Sequence, residues 1–497
     1  MDEVGSIYPR VNQVWPDKTS DAALAHFARS GLGAHRVELA PSDNPFGAKF
    51  VVRTNELASL EVRPGYARYG GDAYFDESWN ALAIIRSEPI AGEAEDEPHR
   101  SCRVDDGLGE CDWWRPLVDR IYRPADGYRW EYAKFCFRSS VFTLVTFVDH
   151  LFVLHMQTSE LVTLACRERL SPTHPIRRFL LPFTYGAITI NAWARTALCN
   201  YRTTTQRAFA FTDRSYARAW AVAPGLVAAS GAASGSLFQP LHRVARSPIA
   251  TDNKIDDVLD EFLARQGPVY GSPGVDTPFY RTARKYHSIV LEWVTSYVEH
   301  FYPHGVDPNE DPEIQSFIEQ VVLTSAASGV SHVGADLQRV LDAASGQPLR
   351  ARALLIAFIT RFIELVTLGH EQVGAVQIYA QDASFAAFKW KIGDLCGTKE
   401  AAMQGAILMC LTSSITPTLM PSSGSTFEQH DWAHIYPSKN PVEAEELAQM
   451  NRDFQLKLGS LADELDAYND AAPHRPFPDN TGIWTANPRY METSVSI

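Results

Sequence analysis

The chain has 497 residues, a formal net charge of -14, 45% hydrophobic residues and 21% charged ones. This is a folded globular profile, and so acidic a balance argues against nucleic acid or an anionic membrane as partner. Seven cysteines, an odd number with no CxxC pair, exclude a disulfide framework and a zinc ribbon. The N-terminus MDEVGSIYPR has neither a basic stretch nor an apolar core, so the expectation is no secretory signal and a cytoplasmic location.

Residues 1–112 are rich in Pro, Gly and Asp, and form an irregular N-terminal region with no evident chemical motif. Within it FVVRT (50–54) and ALAIIRS (81–87) read as short strands, and the acidic AGEAEDEPHR (91–100) as a solvated loop. The segment 113–135 leads into Ser139–Ala165, which is almost wholly apolar yet holds Asp149, His150, His155 and Glu160. It is long enough to cross a membrane. Four polar groups in its middle favour instead a helix through the centre of a large domain, because buried polar groups need partners. Positions five apart on a regular α-helix lie roughly 140° off each other, so His150 and His155 would not share a face. A π-type widening would bring them together, and such widenings are frequent at functional sites. Two readings stand: ligands of a metal ion, or core histidines hydrogen-bonded to backbone.

Further on, Pro172 and Pro175 flank His174 in a packed loop, and TINAWARTAL reads as a helix start. The small residues of 225–241 suit either a tight helix contact or a lid. From Lys254 onward apolar residues recur at three and four, in KIDDVLDEFLARQ, YHSIVLEWVTSYVEHFY and PEIQSFIEQVVLTSAAS. A second long apolar helix spans 349–380 and carries His370, and a charged amphipathic helix spans 441–470. His300 and His304 mark a helix end. His430 and His434 sit four apart, but no third ligand is evident and Pro437 follows, so they read as a surface turn.

Taken together, these segments resemble the lipoxygenase family over residues 113–497, the expected catalytic domain. WEYAKFCFRSSVFTLVTFVDHLFVLH is similar to the family's central helix, with two iron-binding histidines five apart. THPIRRFLLPFTYGAITINAWAR is similar to its next segment, with the spacing from His174 to Asn191 matching. LEWVTSYVEHFYPHGVDPNEDPEIQSF follows in the family's order, and the chain ends SVSI. The resemblance implies a mainly α fold: a large helical catalytic domain around one long central helix, preceded by a short irregular region with some strands. It implies one non-haem iron, with manganese not excluded, held by His150, His155, His370 and the terminal carboxylate of Ile497. Gln377 matches an amide that orients the site, and Ala194 a position where Ala goes with S and Gly with R stereochemistry. Leu198, one turn on, would line the substrate channel. The implied activity is removal of a bis-allylic hydrogen from a polyunsaturated fatty acid such as linoleate or arachidonate, and addition of O2 to give an (S)-hydroperoxide. The implied partners are the fatty acid and O2, with weak peripheral membrane contact at most. The chain departs from the pattern at Gly374, where the family places Asn, His or Ser as a further, weaker ligand. The family's other histidines are replaced by Val145 and Phe183, and its N-terminal β-sandwich is not recognisable. These departures keep a second reading in play: the same fold and iron used for hydroperoxide isomerisation or for a non-lipid substrate.

Overall fold

The computed structural model describes residues 17–89, 117–229, 269–327 except 273, 348–407 except 381, 440–470, and 486–495 except 490. The expectations for 91–100, 254–266, most of 225–241, His430, His434 and Ile497 fall outside these residues. The fold is mainly helical, as the sequence predicts, and among the described residues it has one small sheet near the N-terminus.

Helix α1 (Asp21–Arg29) is capped by Ser20, whose hydroxyl accepts from the Ala23 N–H at 3.0 Å. A 3-10 turn, Ala34–Arg36, then leads into the strands β1 (Val37–Leu39), β2 (Phe50–Val52), β3 (Asp72–Phe75), β4 (Ala81–Pro89) and β5 (Leu117–Tyr122). Each strand pairs antiparallel with the next, in the order β1-β2-β3-β4-β5. The two strands read from sequence are β2 and β4; β1, β3 and β5 are short or lack clean alternation. One face of the sheet buries Val37, Val52, Phe75 and Ile84 in the same core as the helices.

The central helix, α2, runs from Tyr128 to Arg169, 42 residues. It is long and apolar enough to cross a membrane, but 94% of its most apolar window is buried inside the protein. Its ends are α-helical (Tyr128–Leu144 and Glu160–Arg169), and between them Val145–Ser159 is π-helical. Two of the carboxylates along it have partners: Asp149 meets Arg36, and Glu160 meets Arg195.

Proline at the first helical position starts five of the other described helices, where a missing N–H costs nothing and φ is preset. So begin α3 (Pro175–Leu180), α5 (Pro278–Phe301), α6 (Pro312–Ala327), α7 (Pro348–Glu364) and α8 (Pro441–Asp470). Between them α4 (Ala187–Trp193) passes into a π turn, Ala194–Leu198. Helix α3 is also capped by His174, whose Nδ1 accepts from the Ile176 N–H. The His174 ring and the Tyr302 hydroxyl both meet the Asp311 carboxylate, at 3.2 and 2.8 Å. Two of the stretches that carried the resemblance thus meet at one point.

One element departs from expectation. The apolar helix predicted over 349–380 is not continuous. Helix α7 passes into a π turn, Leu365–Gly369, resumes as His370–Gly374, and breaks before Val376–Tyr379. Apolar periodicity registers burial on both sides of such a break and is blind to the break itself.

Candidate metal centre

The widening of α2 decides the geometry. Hydrogen bonds of the i→i+5 type stack residues five apart, so His150 and His155 present their rings to the same point. The third ring comes from His370, directly after the π turn of α7. His150 Nε2 lies 3.1 Å from His370 Nε2 and 3.2 Å from His155 Nε2. All three residues are buried, and their ligand nitrogens lie within 4.8 Å of one another.

The surroundings fix these rings for metal binding. His155 Nδ1–H donates to Asn191 Oδ1 at 2.8 Å, and Asn191 Nδ2 donates back to the His155 carbonyl at 3.0 Å. That pair of bonds sets the tautomer and leaves Nε2 bare, as in metal sites whose outer partners orient the ligand. Loss of solvent holds the His155 pKa at about 4, against the opposing pull of Asn191, and depresses His370 well below its ordinary value, His155 adding to the effect. Both are therefore neutral and able to donate a lone pair near neutral pH. Three imidazoles converging on one point suit a divalent transition metal, and the donor type alone does not choose which.

Two carboxyls flank the cluster on the far side of His370. Glu492 Oε2 lies 4.0 Å from His370 Nδ1. Burial lifts Glu371 to about 7, and burial followed by the charge of Glu371 lifts Glu492 to about 8. Glu492 belongs to the C-terminal stretch, in which Met491, Thr493, Ser494 and Val495 are all buried.

On the near side His150 and His155 open on a cavity of about 610 Å³, mouth included. Its wall is mostly apolar and includes Leu151, Ile190, Ala194, Leu198 and Phe388. Gln377 and Thr205 are among its few polar members. The structure thus brings Ala194, Leu198 and Gln377 to the same cavity as two of the histidines. At Gly374, four residues after His370 in the same helix, an added Cβ would meet nothing within 4 Å.

Three groups went unassigned in the sequence reading. Asn191 was seen only as part of a spacing, and Glu371 and Glu492 carried no signal. Asp149 had no visible partner because Arg36 lies 113 residues away.

Comparison with known proteins points to a family. The lipoxygenase family model matches residues 113–220, which contain the widened helix, Asn191 and Ala194. Over that stretch the chain is similar to the lipoxygenase family. Among relatives, a chloroplastic linoleate 13S-lipoxygenase 2-1 of Solanum tuberosum is 25% identical over 224 residues, 42% of this chain. That match spans only 22% of the relative's own length. Among solved structures, the manganese lipoxygenase of Gaeumannomyces graminis aligns over 100% of this chain and 85% of its own, with a TM-score of 0.61 and 16% identity. A LOX variant, crystallised anaerobically in complex with arachidonate, aligns over 96% of this chain and 67% of its own, with a TM-score of 0.64 and 14% identity. The lipoxygenase fold therefore extends well beyond the stretch that the sequence match covers. Lipoxygenases hold non-haem iron or manganese, and the three-histidine cluster of this chain fits such an ion.

Proposed function

We propose that this chain is a fatty-acid dioxygenase that removes a bis-allylic hydrogen from a polyunsaturated fatty acid and adds O2 to give an (S)-hydroperoxide. The observation that carries the reading is the convergence of three imidazoles beside an apolar cavity. In this reading His150, His155 and His370 hold the metal, and the carboxylate of Ile497 is the fourth donor. The buried run up to Val495 and the approach of Glu492 to His370 support that placement of the terminus. The bound metal, iron with manganese as the alternative, supplies one-electron chemistry.

The protein's own residues do the rest. Leu151, Ile190, Leu198 and Phe388 take the hydrocarbon chain, at about 0.8 kcal/mol per buried methylene. Asn191 keeps His155 in the ligating tautomer, and Gln377 offers an amide at the cavity wall. Ala194 leaves one methyl where O2 would arrive and so favours the S product. The named substrates of similar proteins, linoleate and arachidonate, support this substrate class.

Gly374 favours a second reading, because the position of a further ligand is open space. A metal with one fewer side-chain donor suits hydroperoxide isomerisation or oxidation of a non-lipid substrate. Oxygen uptake and conjugated-diene absorbance, followed together with linoleate and arachidonate on metal-loaded protein with a native C-terminus, separate the two. Matched uptake and diene formation support the dioxygenase. No uptake from metal-replete protein sinks it in favour of the second reading.

A further inference from the structure

The residue before His150 and the residue before His370 are both held by one buried polar block that stands apart from the ligands. Asp149 is the first contact. Arg36 grips it with both prongs, Nη2 to Oδ1 at 2.5 Å and Nε to Oδ2 at 2.7 Å, and His35 Nε2 adds a third bond at 2.8 Å. The side chains of all three are no more than 4% exposed.

Tyr270 is the second contact. Its ring meets the His35 ring edge to face, with centroids 6.0 Å apart. Its hydroxyl lies against Gly369, the last residue of the π turn before His370. A Cβ at Gly369 would stand 2.5 Å from the Tyr270 hydroxyl oxygen and 3.0 Å from Cε2. Next to Tyr270, the Val269 N–H donates to Glu364 at 3.2 Å, and Glu364 also meets His287 at 2.8 Å. The block therefore touches α2 and α7 at matching places, one residue before a ligand on each.

Two physical points give this arrangement a purpose. Long π-helical stretches are rare, so their shape depends on outside restraint. A bidentate guanidinium–carboxylate pair fixes direction as well as distance, which a point charge does not. We propose that His35, Arg36 and Tyr270 are positioning residues of the metal centre, setting the distance between His150 and His370 by gripping Asp149 and filling the space behind Gly369. The N-terminal region is thereby part of the metal-holding apparatus.

The inference rests on the proposed metal ligation and not on the substrate. The test is metal affinity by chelator competition, with the visible spectrum of the cobalt(II)-loaded protein as a report on ligand geometry. Arg36→Lys keeps the charge and loses the fork, and should weaken metal binding roughly 10- to 100-fold, the usual scale for an outer partner of a metal ligand. Gly369→Ala should weaken it similarly and alter the cobalt spectrum. Adding Tyr270→Ala to Gly369→Ala frees the space and should restore much of the affinity. Folding is checked by near-ultraviolet circular dichroism; should Gly369→Ala fail to fold, Arg36→Lys decides alone. Folded variants with wild-type affinity and spectrum overturn the positioning role. Wild-type protein that binds no metal overturns the ligation itself, and the inference with it.

Discussion

The two helices that bring the histidines together reach the same point by different means. Helix α2 stays π-helical for 15 residues, carries two of the rings, and continues as a regular helix on both sides. Helix α7 widens for only five residues, delivers one ring directly afterwards, and ends five residues later at Gly374. One is a continuous beam with a deformed middle; the other is a beam that stops at the site. The beam gains rigidity from being buried along its length. The interrupted helix leaves open space at Gly374, where a side chain can be added without rebuilding the core.

That contrast can be broken from either side. The largest effect is expected from His150→Ala and His370→Ala, each of which should lose the metal in elemental analysis. A C-terminal extension beyond Ile497 should do the same, and unchanged metal content in the extended protein would remove Ile497 from the ligand set. Next, Asn191→Ala frees the His155 ring and should lower metal affinity roughly 10- to 100-fold, read by chelator competition. The metal-free protein should also be acid-sensitive at His155. Unfolded His155 takes a proton near 6.5 while the folded residue waits until about 4, so this residue's contribution to stability falls as pH drops through that window and is constant above it, whereas the raised Glu371 and Glu492 act in the opposite sense. At about 1.4 kcal/mol per pH unit the loss from His155 reaches about 3 kcal/mol by the lower end, measurable by urea titration at a series of pH values. Gly374→Asn tests the interrupted helix. The site has room, so the variant should keep wild-type stability within about 1 kcal/mol, Asn being slightly the better helix former. It should bind metal more tightly; an unchanged affinity would mean that the open space is not a ligand position. The smallest change expected is in Ala194→Gly, which should shift product toward R on chiral chromatography with little loss of rate.

How much of this was legible in the sequence depended on how local each signal is. His150 and His155, five apart in an apolar run, called for a π widening, and Val145–Ser159 supplies it. The helix starts at Pro312 and Pro441 were visible, since both segments read as helical from those residues. The end of α7 was not, since an apolar run reads the same whether or not the helix breaks. Asp149 announced that it needed a partner but could not name Arg36, because contacts across a hundred residues leave no local trace. Residues 1–112 looked chemically silent for the same reason, although the turn at Ala34–Arg36 reaches the back of the histidine cluster.

The apolar length of α2 has a consequence for how the protein is made. Its 42 residues leave the ribosome well before α5 and α7, against which the C-terminal half of the core closes. During that interval the nascent chain exposes a segment that membrane-insertion machinery and aggregation both recognise. Premature termination before about residue 350 leaves that segment without its later partners, so such fragments should be found with chaperones or in the insoluble fraction. The same deformed helix that gathers the ligands is the part of the chain most in need of prompt shelter.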